Sequence, residues 1–301
     1  MERDPAATEP KPPQSAASAA PAPALRRPSA ELWTRVLSGL VLAAVAFGLC
    51  WLGVLPFAAL VLAVALAISW EWSRIVRGED VDLVLILHGL AVAAACGLAS
   101  AGLVALGVAV LVTGAIIVLA LTFGSRPLLS ATGVLYAGLP AVALLWLRAD
   151  APLGFSAILF IVLVVATTDT AAYASGRLIG GPRLAPRVSP NKTWSGLIGG
   201  VLGAAAVAGL FALALGTPPG PLALAGLLLG LISQAGDLAE SALKRAFGVK
   251  DTSQLIPGHG GVMDRMDGLV AAAVAAALAA LFIAPDAPAR ALLSGLAWTL
   301  P

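Results

Sequence analysis

Residues 36–71 read VLSGLVLAAVAFGLCWLGVLPFAALVLAVALAISWE. A helix needs about 20 consecutive, mostly apolar residues to cross a bilayer. The run therefore holds two crossings, 36–53 and 54–71, separated only by Gly53, Val54, Leu55 and Pro56. Further apolar stretches of similar length follow at 83–101, 102–123, 128–147, 153–175, 195–215, 221–240 and 266–284, divided by charged or Pro/Gly punctuation. The reading is an all-α, polytopic integral membrane protein with nine transmembrane helices. The composition agrees: of 301 residues, 59% are hydrophobic and 11% charged, whereas a soluble domain carries roughly a quarter charged. Such a chain cannot supply a charged skin, so lipid is its outer solvent.

Basic residues favour the cytoplasmic loops of membrane proteins. With nine spans and a cytosolic N-terminus, sixteen Lys and Arg fall on the cytosolic side and only Arg148 and Arg290 outside. Losing or adding a span would scatter the basic loops over both faces. A multi-pass protein of the cytoplasmic membrane is expected, with its N-terminus and its basic loops in the cytosol. Residues 1–30, rich in Ala, Pro and Ser, read as a disordered cytosolic tail. Residues 31–285 form the membrane domain, and 286–301 are too short to span. In that last segment Trp298 suggests an interfacial anchor. The net charge of +2 gives no case for nucleic acid as a partner. Cys50 and Cys96 sit in apolar stretches and read as small core residues, as does His88.

Two segments on the basic side gather the polar residues that an anionic substrate requires. The first, 169–195, reads DTAAYASGRLIGGPRLAPRVSPNKTWS and carries Arg177, Arg183, Arg187 and Lys192 with no acid after Asp169. Its glycines let backbone amides approach phosphate oxygens closely. The positive-inside rule alone would account for a basic loop, but not for the run Ser189, Pro190, Asn191, Lys192, Thr193, Trp194.

The second segment, 241–268, reads SALKRAFGVKDTSQLIPGHGGVMDRMDG and follows Asp237 and Glu240. On a helix Asp237, Glu240, Ser241 and Lys244 share one face. Asp264 and Asp267 form a second acidic pair. Carboxylate oxygens suit a hard divalent ion such as Mg2+, which keeps positions for water and substrate phosphate, and neighbouring bases can neutralise that phosphate. A solvated salt-bridge patch is the plain alternative and weighs most for Asp251. It weighs less for Asp169 and Asp237 at span ends, since a mid-bilayer carboxylate costs about 2.5–3.5 kcal/mol. His259, between two glycines, can donate to phosphate, carry a proton or fix the turn.

The order and spacing of Ser241, Leu243, Lys244, Arg245, Lys250, Asp251, Leu255, Pro257, His259, Gly260, Gly261, Asp264, Arg265 and Asp267 resemble the signature of the phosphatidate cytidylyltransferase family. The run from Asp169 and Thr170 through Gly176 and Arg177 to Ser189, Pro190, Lys192, Thr193, Trp194 and Gly196 is similar to a second block of that family. Ser195 departs from it, standing where many relatives carry Glu, so no charged role is given to this position.

The resemblance implies that CTP and phosphatidate are converted to CDP-diacylglycerol and pyrophosphate. It implies Asp237 and Asp264 as metal ligands, with Asp267 and Asp169 as second candidates. By the same resemblance Lys192, Arg177, Lys244, Arg245 and Lys250 hold CTP or lipid phosphate, with His259 near them, and Ser189, Asp251 and Arg265 belong to the nucleotide-binding set. It further implies Mg2+, a second, monovalent cation such as K+, and a homodimer. Trp194 reads equally as a base-stacking ring or an interfacial anchor. Two rivals stand beside this reading. One is a CTP-dependent polyprenol or phytol kinase-like enzyme. The other is a transporter, which should show inverted repeats or helices broken at the midplane, whereas the polar residues here crowd one side.

Overall fold

The computed structural model describes residues 30–78, 80–256 and 260–294, the side chains from Leu37 onward with Ser38 excepted. The expected tail up to residue 29, His259 and Trp298 lie outside the described residues. Among the described residues nine long helices run in chain order: α1 Ala30–Leu52, α2 Val54–Arg77, α3 Leu83–Ser100, α4 Val104–Leu121, α5 Pro127–Ala149, α6 Gly154–Leu178, α7 Trp194–Ala214, α8 Pro219–Ala246 and α9 Met263–Ile283. From α2 onward all eight are long and apolar enough to cross a membrane, and α1 adds the shorter apolar stretch Gly39–Leu52. Large side chains such as Leu210, Leu278 and Phe282 face outward, the surface expected where lipid is the solvent.

The helix ends follow local chemistry. Gly53 breaks the long apolar run with φ 137°, a conformation that favours glycine, and α2 begins at once. Asp82 caps α3 by accepting from the Leu85 amide at 2.8 Å. Thr193 caps α7 in the same way, its hydroxyl accepting from the Gly196 amide at 3.0 Å.

Three features depart from the sequence expectation. α2 and α8 each run six residues beyond the expected span ends at 71 and 240, which carries Arg245 on the helix beside Lys244. Residues 183–193 form a small antiparallel hairpin, β1 Arg183–Ala185 with β2 Ser189–Thr193, in which Arg183 pairs with Thr193 and Ala185 with Ser189. A six-residue helix α10, Pro288–Leu293, buries Ala289, Ala291 and Leu292. It is held by Asp150, which accepts from the Ala289 amide at 2.7 Å.

Packing between helices depends on small residues, the usual route to close approach where lipid removes the hydrophobic drive for helices to associate. A Cβ at Gly226 or Gly230 of α8 would strike Ala208 or Ala204 of α7, and one at Gly203 would strike Ala171 of α6. α5 lies at the centre, with Val134, Leu145 and Leu147 fully buried. Trp72 of α2 lies against it at Gly133 and donates its indole N–H to the Leu129 carbonyl at 2.8 Å. Cys50, Cys96 and His88 are buried among these helices, in the core positions expected for them.

Candidate active site

The polar residues converge where α2, α6 and α8 end and α7 and α9 begin. On α8, Asp237, Glu240 and Lys244 recur at helical spacing, and Glu240 is only 2% exposed. α9 approaches this face because both helices carry glycine at the crossing. A Cβ at Gly236 would meet the Ala271 Cβ at 2.6 Å and the Asp267 carbonyl oxygen at 2.8 Å, while one at Gly268 would overlap the Ser233 hydroxyl. The two glycines thereby bring Asp267 beside the acids of α8. One carboxylate oxygen from each of Asp237, Glu240 and Asp267 lies within 4.8 Å of the other two.

Basic residues complete the group. Lys244 Nζ stands 2.6 Å from Asp264 Oδ1 and 3.1 Å from Glu240 Oε2, bridging α8 to α9. Lys192, on β2, reaches Asp237 Oδ2 at 2.6 Å and donates to Gln234 Oε1 at 3.4 Å. Gln234 in turn donates to Asp169 Oδ1 on α6 at 3.2 Å. One polar network therefore runs from Asp169 through Gln234, Lys192 and Asp237 to Glu240, Asp267, Lys244 and Asp264. It joins α6, the hairpin, α8 and α9.

Asp264 has a different place from the other acids. While Oδ1 accepts from Lys244, Oδ2 accepts from the Thr252 amide at 2.9 Å, the Thr252 hydroxyl at 2.9 Å and the Gly261 amide at 3.0 Å. Both oxygens are thus engaged by protein donors. The sequence expectation pairs Asp237 with Asp264 at a metal; in the structure Asp237 groups with Glu240 and Asp267, and Lys244 bridges Glu240 of that trio to Asp264.

The remaining expected residues occupy the surroundings. Arg245 is exposed; its guanidinium donates to the Val188 carbonyl in the hairpin turn at 3.4 Å and to Val249 at 3.1 Å. Arg177 ends α6, exposed, and Ser189 opens β2. Arg265 is exposed in the first turn of α9. Lys250 and Asp251 line an open cleft of about 600 Å3 together with Arg74, Thr252, Ser253 and Gln254. The Trp194 side chain is half exposed at the start of α7.

Glu240, Gln234 and Glu71 join the site although the sequence motifs do not single them out as candidates. Glu240 is legible as a member of the α8 face. Glu71 carries the same signal as Asp169 and Asp237, an acid at the end of an apolar span.

The model of the cytidylyltransferase family matches residues 33–283, which takes in most of α1, all of α2 to α9 and every element of this network. The chain belongs to that family. Among its curated relatives, the phosphatidate cytidylyltransferase of Brucella suis biovar 1 (strain 1330) is 43% identical over 269 residues, covering 86% of this chain and 97% of the relative. That of Brucella abortus (strain 2308) is 43% identical over 267 residues, covering 85% and 96%. The phosphatidate cytidylyltransferase of Haemophilus influenzae is 46% identical over 125 residues, 40% of this chain and 43% of the relative. Similarity to a cytidylyltransferase accords with the donor set at the site: carboxylates for a hard cation, and lysines beside them for phosphate.

Proposed function

We propose that this membrane protein transfers CMP from CTP to phosphatidate, forming CDP-diacylglycerol and pyrophosphate. The observation that carries the proposal is the network of Lys192, Asp237, Glu240, Asp267, Lys244 and Asp264 at one end of the helices. It stands in a chain related over most of its length to phosphatidate cytidylyltransferases. A lipid phosphate can reach such a site sideways from one leaflet while CTP arrives from water.

A phosphate monoester carries a second pKa of about 6, so its oxygen is ionised near neutrality and needs no strong general base. That oxygen attacks the α-phosphorus of CTP in line. The new P–O bond forms as the bond between the α-phosphorus and its bridging oxygen breaks, and pyrophosphate leaves with the electron pair. Lys192 and Lys244 oppose the negative charge that grows on the phosphates. The exposed Arg177, Arg245 and Lys250 draw the anionic substrates toward the opening.

The all-carboxylate donor set of Asp237, Glu240 and Asp267, with one oxygen of each within 4.8 Å of the other two, would hold a hard divalent cation such as Mg2+. When bound, Mg2+ neutralises charge on CTP and on the leaving pyrophosphate. Asp169, linked through Gln234, stands at the edge of this group and is our candidate for a second, monovalent cation such as K+. We further assign the network to the cytosolic side of the cytoplasmic membrane, on the strength of the basic residues concentrated there, and the functional unit to a homodimer.

The experiment is to incubate purified protein with CTP, Mg2+ and phosphatidate and to follow the released nucleotide fragment. Pyrophosphate appearing in step with loss of phosphatidate supports the assignment. Release of CDP would make the protein a CTP-dependent kinase.

A further inference from the structure

Glu71 lies near the end of α2, is 0% exposed, and sits 191 positions before the residue whose amide it binds. Its Oε1 accepts from the Val262 amide at 2.9 Å and from the Ser253 hydroxyl. Its Oε2 accepts from the Met263 amide at 2.7 Å and lies 3.1 Å from the Thr252 hydroxyl, whose single proton it shares with Asp264. The first amides of a helix have no intrahelical acceptor. At the start of α9 the local N-cap residue, Val262, offers no side chain to take them. Glu71 supplies that acceptor from another helix, and a negative charge there is favoured by the helix dipole.

The contacts of Glu71 lead directly to the acids of the site. Thr252 Oγ1 lies between two carboxylates, 3.1 Å from Glu71 and 2.9 Å from Asp264 Oδ2. Gly261 completes the arrangement, since a Cβ there would overlap the Thr252 hydroxyl and lie 2.7 Å from Glu71 Oε1 and 3.0 Å from Asp264 Oδ2. α9 starts at Met263, in direct contact with Glu71, and carries Asp264 and Asp267 within its first two turns.

We propose that Glu71 is a positioning residue for the transfer reaction: it clamps segments 252–253 and 261–263 and thereby sets where Asp264 and Asp267 stand relative to α8. This rests on the assignment of the reaction above. The amide of Glu71→Gln would turn an NH2 group toward either the Val262 or the Met263 amide, opposing donor to donor. The charge-conserving Glu71→Asp keeps both acceptors on a side chain one methylene shorter.

The test uses purified full-length protein in detergent, with Cys50→Ala, Cys96→Ala and Val262→Cys as a reporter; Val262 is 9% exposed. Introducing Glu71→Gln should speed maleimide labelling of position 262 and lower kcat by about tenfold or more, the loss of at least one charge-assisted hydrogen bond. The Mg2+ concentration for half-maximal rate should rise with it, while KM for phosphatidate stays near wild type. Glu71→Asp should fall between the two on every readout. If Glu71→Gln does not assemble, Glu71→Asp is read by the same criteria. Unchanged labelling with unchanged kcat overturns the proposal, and so does a lower kcat with labelling and Mg2+ dependence unaltered. Wild-type protein that released no pyrophosphate would sink the reaction assignment, and the labelling comparison would still decide whether Glu71 is the clamp.

Discussion

Lys192 on the hairpin and Asp237 on α8 are joined Nζ to Oδ2 at 2.6 Å. This pair pins the only hairpin among the described residues to the carboxylates of the site. The basic segment is thereby fixed at one position, with the Lys192 ammonium at the centre of the polar network.

Lys192→Ala should insert and fold yet lose about one to two decades in rate, since one charge-assisted contact contributes about 1.5–3 kcal/mol. Lys192→Arg should recover little, because the guanidinium fork does not replace a compact ammonium. Steady-state assays on variants matched for thermal stability check this; full activity in Lys192→Ala would return the segment to a purely topological role.

The acids separate into two kinds of variant. Asp237→Asn and Asp267→Asn should each be inactive at limiting Mg2+ and partly rescued by raised Mg2+ or by Mn2+. Their double variant should be hardly worse than either single, as for residues acting through one ion. Asp264→Asn should also lose activity, but without metal rescue, and should lower stability by about 1–3 kcal/mol because Lys244, Thr252 and Gly261 lose their acceptor. Titration of activity against Mg2+ distinguishes them, and equal rescue of Asp264→Asn would place that residue among the metal ligands.

The helices are legible in the sequence because membrane solvent imposes one rule on every span: α3 to α7 and α9 start and end within three residues of the expected positions, while α2 and α8 each run six residues further at their C-terminal ends. Helical spacing alone likewise puts Asp237, Glu240 and Lys244 on one face. The hairpin is not legible: Ser189–Thr193 contains Pro and Asn, and its pairing depends on a turn between two helices rather than on an alternating apolar pattern. Nor is the separation of Asp264 from Asp267. Both lie in the same part of α9, and only the approach of Lys244 and Thr252 from elsewhere in the chain assigns them different partners.

Gly236→Ala tests the close approach of α8 and α9. The added methyl would press on Ala271 and on the Asp267 carbonyl, separating the helices next to Asp237, and overpacking of this kind costs about 1–3 kcal/mol. Activity should fall together with thermal stability, and the Mg2+ requirement should rise. Wild-type kinetics in Gly236→Ala would show that the crossing does not set the spacing of the acids.

The sidedness follows from single cysteines at Pro182, Gln254 and Pro218, all exposed, in a cysteine-free background. An impermeant maleimide should reach positions 182 and 254 only from the cytosol and position 218 only from outside. Labelling of 182 and 254 from opposite faces would contradict a shared site.

The most direct measurement follows the two ends of the CTP triphosphate separately, using CTP labelled with one phosphorus isotope at the α position and another at the γ position. The α label should enter the lipid in step with phosphatidate consumption while the γ label leaves in pyrophosphate, and Lys192→Ala should slow both equally. Transfer of the γ label to the lipid, with the α label retained in CDP, would contradict the proposed CMP transfer.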